Sequence, residues 1–184
     1  MLAIPLSPDI SRLFREIEIE TDIHRDPSDH ITLFCLGDDI EINQILKIIP
    51  VVYDITSETQ PFEVTSSKIS YFPKGDHGYP MIVQIKSPEL EAIHSKIKRG
   101  LDSKKIKYDK TFTEYNPHVT LGWARKRPQK LKFDKVKWAI SQIGLYGGDE
   151  VDSKIYVNFP FTLGISKIEK INSFANSFAK FSSM

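Results

Sequence analysis

Apolar residues recur at helical spacing in two stretches of the chain, and the same short signal precedes both. The signals are Ser7-Pro8-Asp9-Ile10 and Ser87-Pro88-Glu89-Leu90. Serine is a favourable N-cap, proline suits the first helical position, and an acid is stabilised at the positive end of the helix dipole. The apolar stripes that follow are Ile10, Leu13, Phe14, Ile17 and Leu90, Ile93, His94, Ile97. We therefore predict one helix after each signal, with the second ending near Gly100.

Each predicted helix lies between two predicted strands. A short apolar strand precedes it, at residues 2–6 and 81–86, and a β-branched strand that begins with His-x-Thr follows it. The helix signals are 80 residues apart and the two His-x-Thr patterns are 88 residues apart. The strand–helix–strand unit is therefore used twice, at about 2–36 and 81–123. We predict one bilobal domain over residues 1–184 rather than a solenoid array, which would need more and shorter copies.

The remaining elements follow from the same periodicities. A helix capped by Asp38 or Asp39 is predicted to stop near Pro50. Alternating residues predict strands over 62–72, 136–146 and 155–159. An apolar stripe over residues 165–181 predicts a C-terminal helix.

Composition places the chain among ordinary globular proteins. The hydrophobic fraction is 40% and the charged fraction is 27%, and no apolar run is long enough to span a bilayer. The N-terminal segment has no basic region of the kind that begins a signal peptide. Cys35 is the only cysteine, so no internal disulfide can form and we expect a cytoplasmic location. Strand alternation predicts that Cys35 is a buried apolar residue, on the face opposite His30.

The net charge of +1 conceals an asymmetry between the two parts of the chain. Residues 1–66 contain 4 Lys and Arg against 13 Asp and Glu, whereas residues 67–184 contain 21 against 11. A basic region of this kind fits an anionic ligand. It fits equally well an attraction between the two parts of the chain.

The two His-x-Thr patterns are the strongest chemical signal in the sequence. Residues i and i+2 share one face of a strand, so His30 lies beside Thr32 and His118 lies beside Thr120, with apolar residues on the opposite face. A single such pattern is weak, but two at matching positions of a repeat are a strong signal. If the two units pack about a pseudo-two-fold axis, one histidine lies on each side of a bound phosphate. Imidazole exchanges protons near neutral pH, and threonine hydroxyls can bind phosphate oxygens, so this chemistry requires no metal and no cofactor.

The chain resembles the 2H phosphoesterase superfamily, whose best-known branch is the 2′,5′ RNA ligase-like or 2′,3′-cyclic phosphodiesterase group. The resemblance rests on His30-Ile31-Thr32-Leu33 and on Asn116-Pro117-His118-Val119-Thr120-Leu121, and it extends from Leu2 to about Phe161. It implies an α+β fold that is bilobal, with two antiparallel β-sheets related by a pseudo-two-fold axis, helices packed outside and a central cleft. It also implies that His118 is the base that activates water and that His30 is the acid. Asp29 next to the first histidine departs from the family pattern and leaves these two roles open.

Residues near the motifs are candidates for substrate binding. Alternation places Phe34 on the cleft side and Trp123 away from it, so Phe34 and Tyr115 are the candidates for stacking on a base. Arg125 and Lys126 begin a basic cluster directly after the second motif. This cluster is either a solvated surface or a track for a phosphate backbone.

The sequence therefore predicts a metal-independent phosphodiesterase with two histidines as general acid and base. Three substrates fit: a 2′,3′-cyclic phosphate, a 2′,5′-linked oligonucleotide and a cyclic dinucleotide. The alternative is a catalytically silent module that binds RNA or a nucleotide in the same cleft. The expected partner is RNA or a small cyclic oligonucleotide, with no membrane and no metal; the oligomeric state is open, with a monomer as the simplest expectation.

Overall fold

The computed structural model describes residues 1–18, 23–24, 28–37, 40–111, 114–126, 133–147 and 154–162. The predicted helix over 165–181 lies outside these residues. The elements in chain order are β1 (Leu2–Pro5), α1 (Pro8–Arg15), β2 (Ile23–His24), β3 (His30–Phe34), α2 (Ile42–Ser57), β4 (Phe62–Tyr71), β5 (Tyr79–Lys86), α3 (Pro88–Ser103), β6 (His118–Ala124), β7 (Lys137–Ile140), β8 (Gln142–Gly147) and β9 (Lys154–Pro160).

The strands form two antiparallel sheets, and this confirms the predicted α+β class. The first sheet has the order β3-β1-β8-β9, and the second has the order β2-β6-β5-β4-β7. In each sheet the His-x-Thr strand pairs with the strand that precedes the helix of its unit, as β3 does with β1 and β6 with β5. Buried side chains of both sheets and of the three described helices form one continuous apolar core. None of the described helices is both long and apolar enough to cross a membrane.

The two Ser-Pro signals begin helices as predicted. The Ser7 hydroxyl accepts a hydrogen bond from the backbone N–H of Ile10 at 3.4 Å, and the Ser87 hydroxyl accepts one from Leu90 at 3.1 Å. Each serine thus satisfies one backbone donor that the first turn leaves without a helical partner. Most of the apolar residues behind these caps are buried in the core, whereas Leu13 of the predicted stripe on α1 is exposed.

The predicted end of α3 at Gly100 is wrong, because the helix continues to Ser103 and Lys105 adopts the positive φ of 56° beyond it. Gly100 serves a packing role instead. A Cβ atom at this position would lie 2.3 Å from Cγ1 of Val51 on α2. Since real Cβ atoms do not approach so closely, the absence of a side chain at Gly100 allows the two helices to pack in this register.

The predicted stop of α2 at Pro50 is also wrong, because the helix runs through this residue to Ser57. A proline inside a helix costs about 3 kcal/mol or more, through the lost hydrogen bond and the clash of its ring with the preceding turn. Ile48 and Val52, on either side of Pro50, are fully buried. Burial of two such side chains contributes roughly 1.5–3 kcal/mol each, which offsets the cost of the proline.

The predicted strand over 136–146 is divided between the two sheets. β7 pairs with β4 in the second sheet, whereas β8 pairs with β1 and β9 in the first sheet, and the chain crosses over at Ser141. Hydrophobic alternation continues through this crossing, which is why the sequence predicts one strand. The crossing joins the two sheets covalently next to the core.

Candidate active site

The two His-x-Thr strands are held in their sheets by equivalent hydrogen bonds. The backbone N–H of Leu6 donates to the carbonyl of Asp29, and that of Ile85 donates to the carbonyl of Pro117, both at 2.9 Å. In each unit the acceptor is the residue just before the motif histidine. The donor lies one residue before the helix signal in the first unit and two residues before it in the second. The strand–helix connection therefore fixes where each histidine enters its strand.

Ser28 links the first motif directly to the second. Its backbone N–H donates to the carbonyl of Thr120 at 3.3 Å, and its hydroxyl accepts a hydrogen bond from the Thr120 N–H at 3.1 Å. Ser28 lies two residues before His30, and Thr120 lies two residues after His118. The predicted meeting of the two motifs thus has a backbone bridge across the boundary between the sheets.

Each His-x-Thr strand has an irregular register directly after its threonine. The pairings on either side of the irregularity are Ala3 with Thr32 and Leu2 with Phe34 in the first sheet, and Ile82 with Thr120 and Met81 with Gly122 in the second. In both places the motif strand contains one residue more than the strand with which it pairs, which is the arrangement of a β-bulge. Gly122 accommodates its bulge with a φ of 136°, a value that residues with a Cβ rarely adopt.

The bulges reverse the faces that simple alternation predicts beyond the threonines. Phe34 pairs with Leu2 and Thr32 pairs with Ala3, and these two neighbours lie on opposite faces of β1. Phe34 therefore lies on the face opposite Thr32, and the prediction that Phe34 faces the cleft is wrong. Trp123 pairs with Pro80, on the face of β5 that also contains the partner of Thr120. The prediction that Trp123 points away from the site is therefore wrong as well.

Phe34 and Tyr115 instead belong to a three-ring stack. The imidazole of His94 on α3 lies between them, with ring centroids 4.4 Å from Phe34 and 4.0 Å from Tyr115 and the planes parallel to within 2°. Phe34 is 4% exposed, and the hydroxyl of Tyr115 is buried with no hydrogen-bond partner among the described residues. As predicted, His94 is a packed histidine. The sequence candidates for base stacking thus pack against α3.

Cys35 follows this stack and is exposed, so its predicted burial is wrong. β3 ends at Phe34, and the parity argument does not extend past the end of the strand.

An aromatic ring that the sequence analysis missed packs against each motif histidine. Tyr146 lies 5.8 Å from His30 at an interplanar angle of 38°, and Phe72 lies 4.9 Å from His118 in an edge-to-face arrangement at 84°. Tyr146 is on β8 and Phe72 directly follows β4, the strands next to β1 and β5 in their sheets. The two aromatics therefore occupy equivalent places. An aromatic at the end of both predicted strands, 62–72 and 136–146, was the available signal.

Gly144 makes room for one of these aromatics. A Cβ atom there would lie 2.6 Å from Cε2 of Tyr146, so the phenol ring lies across the backbone of its own strand. Burial raises the pKa of Tyr146 to about 12, with a further contribution from the negative charge of Asp29. The phenol is therefore protonated at neutral pH and can donate a hydrogen bond beside His30.

Both motif histidines are held in the neutral form by their surroundings. Burial lowers the pKa of His30 from its ordinary value of 6.5 to about 4, against the opposing effect of Asp29, and the charge of His118 lowers it further. Burial also lowers the pKa of His118, partly offset by a backbone hydrogen bond. The Nδ1 atom of His118 lies 2.6 Å from the carbonyl of Asn116, so it is the protonated nitrogen and Nε2 is the available base.

The other predicted site residues lie at the edge of this region. Arg125 and Lys126 are exposed and directly follow the end of β6. The rest of the basic cluster, from Arg127 to Lys132, lies outside the described residues. In the part of the chain that the structure describes, no group of three or more His, Cys, Asp or Glu side chains is placed to hold a metal ion.

Comparison with known proteins identifies the family to which this two-sheet fold belongs. The model of the 2′-5′ RNA ligase superfamily matches residues 8–150, and the chain belongs to this superfamily. Membership supports an activity on phosphodiester bonds. A search of curated proteins finds no match.

Solved structures share the fold at low sequence identity. TT0787 of Thermus thermophilus is 12% identical with a TM-score of 0.69, covering 88% of this chain and 97% of its own. Escherichia coli LigT, in complex with 3′-AMP, is 13% identical with a TM-score of 0.64, covering 88% and 96%. The MHV ns2 PDE domain is 15% identical with a TM-score of 0.52, covering 77% and 88%.

Proposed function

We propose that this protein is a metal-independent phosphodiesterase that hydrolyses a nucleotide or RNA phosphodiester with His30 and His118 as its acid–base pair. One observation carries the proposal: Ser28, two residues before His30, is hydrogen-bonded at 3.3 and 3.1 Å to the backbone of Thr120, two residues after His118, so the two motif strands meet at one place. Two neutral histidines in one partly buried site are an arrangement in which a single proton can be exchanged with a reacting phosphate.

The hydrolysis needs one proton to be removed and one to be supplied. In our proposal Nε2 of His118 takes a proton from water, whose oxygen forms the new bond to phosphorus. The bond from phosphorus to the leaving oxygen breaks, and His30 donates its proton to that oxygen. The assignment of base and acid follows the family resemblance, and it agrees with the hydrogen bond that fixes Nδ1–H of His118 on Asn116. Thr32 and Thr120 are proposed to bind the non-bridging oxygens.

Substrate binding explains how His30, whose pKa is about 4 in the free protein, can act as the acid. A phosphodiester is an anion, and a negative charge within a few ångströms favours the protonated imidazole. Binding therefore raises the pKa of His30 at the moment when its proton is needed. The buried phenol of Tyr146, next to the ring of His30, adds a neutral hydrogen-bond donor to the same region.

Nucleotide ligands of a structural relative support a nucleotide substrate. LigT has been crystallised with 3′-AMP, NADP⁺ and ATP. The substrates to be distinguished are a 2′,3′-cyclic phosphate, a 2′,5′-linked oligonucleotide and a cyclic dinucleotide. We propose the cytoplasm as the location, in keeping with a single cysteine.

The test is a turnover panel on the wild type and the His30→Ala/His118→Ala variant, with EDTA present. Cleavage of one substrate class by the wild type alone supports the proposal, and each single variant is expected to lose a factor of about 10² to 10⁴ in rate while its melting temperature is retained. Full activity in either single variant refutes the role of that histidine. Activity that EDTA removes and one added metal restores refutes the metal-free mechanism. Binding of the panel without cleavage identifies the silent module.

A further inference from the structure

The face of the second sheet that contains His118 continues into a row of polar residues on neighbouring strands. Gln84 on β5 is the cross-strand partner of His118, and Lys68 on β4 is the partner of Gln84. Directly paired residues of an antiparallel sheet point to the same face. Neighbouring strands are about 4.8 Å apart, so the backbone of Lys68 lies about 10 Å from that of His118.

This row opens into a cleft that is lined by three lysines. Lys68 and Gln84 line it together with Lys86 and Lys135, and its volume is about 340 Å³. Lys86 follows Gln84 by two residues and shares its face of β5. All three lysines are exposed, so their ammonium groups are available to a ligand.

The backbone around the cleft is fixed by hydrogen bonds rather than left as a surface loop. The Ser66 N–H donates to the carbonyl of Val136 at 2.9 Å, and the Ser66 hydroxyl accepts from the Val136 N–H at 2.7 Å. These bonds tie the segment of Lys135 to β4. A register shift between Ser66 and Lys68 inserts Ser67, whose hydroxyl donates to the carbonyl of Gln84 at 3.3 Å.

The positive charge of the cleft is not neutralised by an ion pair among the described residues. None of Lys68, Lys86 and Lys135 forms an ion pair with any residue that the structure describes. Three like charges around one open space repel each other, and a bound anion removes this repulsion.

From this geometry we infer that Lys68, Lys86 and Lys135 form a subsite for a second phosphate of the substrate. The inference rests on the proposed function and narrows its substrate class. The separation of about 10 Å between the backbones of His118 and Lys68 falls within one or two nucleotide units of a single strand. The preferred substrate is therefore an oligonucleotide with at least one phosphate beyond the one that is cleaved, oriented with its continuing strand over the second sheet.

The first experiment compares two substrates and two variants. The substrates are a 2′,3′-cyclic mononucleotide and a short single-stranded RNA that ends in a 2′,3′-cyclic phosphate. The variants are Lys68→Ala/Lys86→Ala/Lys135→Ala and, as a control with the same change of charge, Lys47→Ala/Lys96→Ala/Lys104→Ala on and after the helices. We expect the cleft variant to raise KM for the RNA at least about tenfold more than for the mononucleotide. The control variant is expected to show no such difference.

A binding experiment separates this inference from the proposed reaction. RNA binding to the His30→Ala/His118→Ala protein is measured over a range of salt concentrations, with and without the three cleft substitutions. Loss of the contact to this one phosphate is expected to reduce the salt slope of log K by about 0.7, the value for one neutralised phosphate of a single strand.

The outcomes are distinct. An unchanged slope and an unchanged ratio of KM values overturn the subsite, whether or not the wild type is active. A changed slope in a protein that hydrolyses none of the substrates retains the subsite and refutes the proposed reaction. An RNA that neither binds nor reacts overturns both.

Discussion

The Nδ1 atom of His118 donates a hydrogen bond to the carbonyl oxygen of Asn116, only two residues earlier in the chain, over 2.6 Å. This bond uses a backbone group, so the orientation of the imidazole is set by the turn that leads into the strand. It leaves Nε2 without a proton in the neutral ring. The proposed base is thus prepared by local structure, before any substrate binds.

The pKa values of the two histidines predict the pH dependence of the reaction. The proposed active form has a neutral His118 and a protonated His30, whose pKa is about 4 in the free protein. The fraction of the protein in this active form falls about tenfold for each pH unit above both pKa values. We therefore expect kcat/KM to be highest below pH 6.5 and to decline through neutral pH. The profile of kcat is expected to lie at higher pH, because bound phosphate raises the pKa.

Steady-state kinetics between pH 4 and 9 check this expectation. A value of kcat/KM that rises through neutral pH to a plateau above pH 8 contradicts an imidazole acid with a lowered pKa. In the His30→Gln variant, whose side chain does not titrate, the decline on the alkaline side should disappear from the residual activity.

Phe72 is expected to act as a positioning residue for His118. Its ring packs edge to face at 4.9 Å, and its removal frees the imidazole to rotate away from the orientation set by Asn116. We expect Phe72→Ala to lower kcat by about 10- to 100-fold with little change in KM, the size of effect that a displacement of about 1 Å produces. Phe72→Tyr keeps the ring and should restore most of the rate. Equal losses in the two variants show that ring packing is not the cause.

The lowered pKa of His94 predicts that the folded protein is less stable in acid. Burial and the charge of Lys98 lower its pKa to about 4 in the folded protein, against an ordinary value of 6.5. Between these values the unfolded chain binds the proton more readily, so the free energy of unfolding decreases as the pH falls through this window. His30, with the same lowered value, acts in the same direction. At higher pH neither residue contributes to the slope.

The His94→Phe variant tests this prediction, because it keeps an aromatic ring between Phe34 and Tyr115 and removes the titrating group. Its melting temperature is expected to fall less than that of the wild type between pH 6.5 and 4. Parallel curves for the two proteins show that the imidazole is not a source of the acid sensitivity.

Gly100 and Val51 are expected to be coupled in stability. Alanine in a helix is favoured over glycine by up to about 1 kcal/mol, whereas overpacking costs about 1–3 kcal/mol. A new Cβ 2.3 Å from Val51 Cγ1 places Gly100→Ala on the destabilising side, by about 1 kcal/mol or more. In a Val51→Ala background the contact is absent, and the same substitution should become neutral or stabilising.

Denaturant unfolding of the four proteins in this cycle measures the coupling. Gly75→Ala is a matched control, since a Cβ there meets nothing within 4 Å. Equal effects of Gly100→Ala in the two backgrounds rule out the close contact as their cause.

The two helices with Ser-Pro signals and the two motif strands were predictable from the sequence because their signals are local, whereas the predicted cap of α2 at Asp38 or Asp39 is wrong, since its N-cap is Glu41. The caps at Ser7 and Ser87 and the alternation at each His-x-Thr depend only on neighbouring residues. The first errors occur where a local signal competes with tertiary packing. Pro50 lies within α2 because the helix continues to bury apolar residues on both sides of it.

Within the site, alternation predicted the faces of the histidines and threonines but failed immediately after them. A bulge has no sequence signature as regular as alternation, although Gly122 is a residue that favours one. One extra residue is enough to place Phe34 and Trp123 on the strand faces opposite to those predicted. The partners Tyr146 and Phe72 come from other strands of the sheets, and only the strand order brings them to the histidines.

The strand order also determines when a growing chain can become active. Most of the second sheet is encoded in one continuous stretch, from Phe62 to Ile140. The first sheet combines β1 and β3 with β8 and β9, so the pairing of Ala3 with Gly144 can form only after Gly144 has left the ribosome. Until then β1 and β3 are an isolated pair of strands, which is marginally stable in water. The histidine of the first sheet is therefore the last part of the site to be fixed during synthesis.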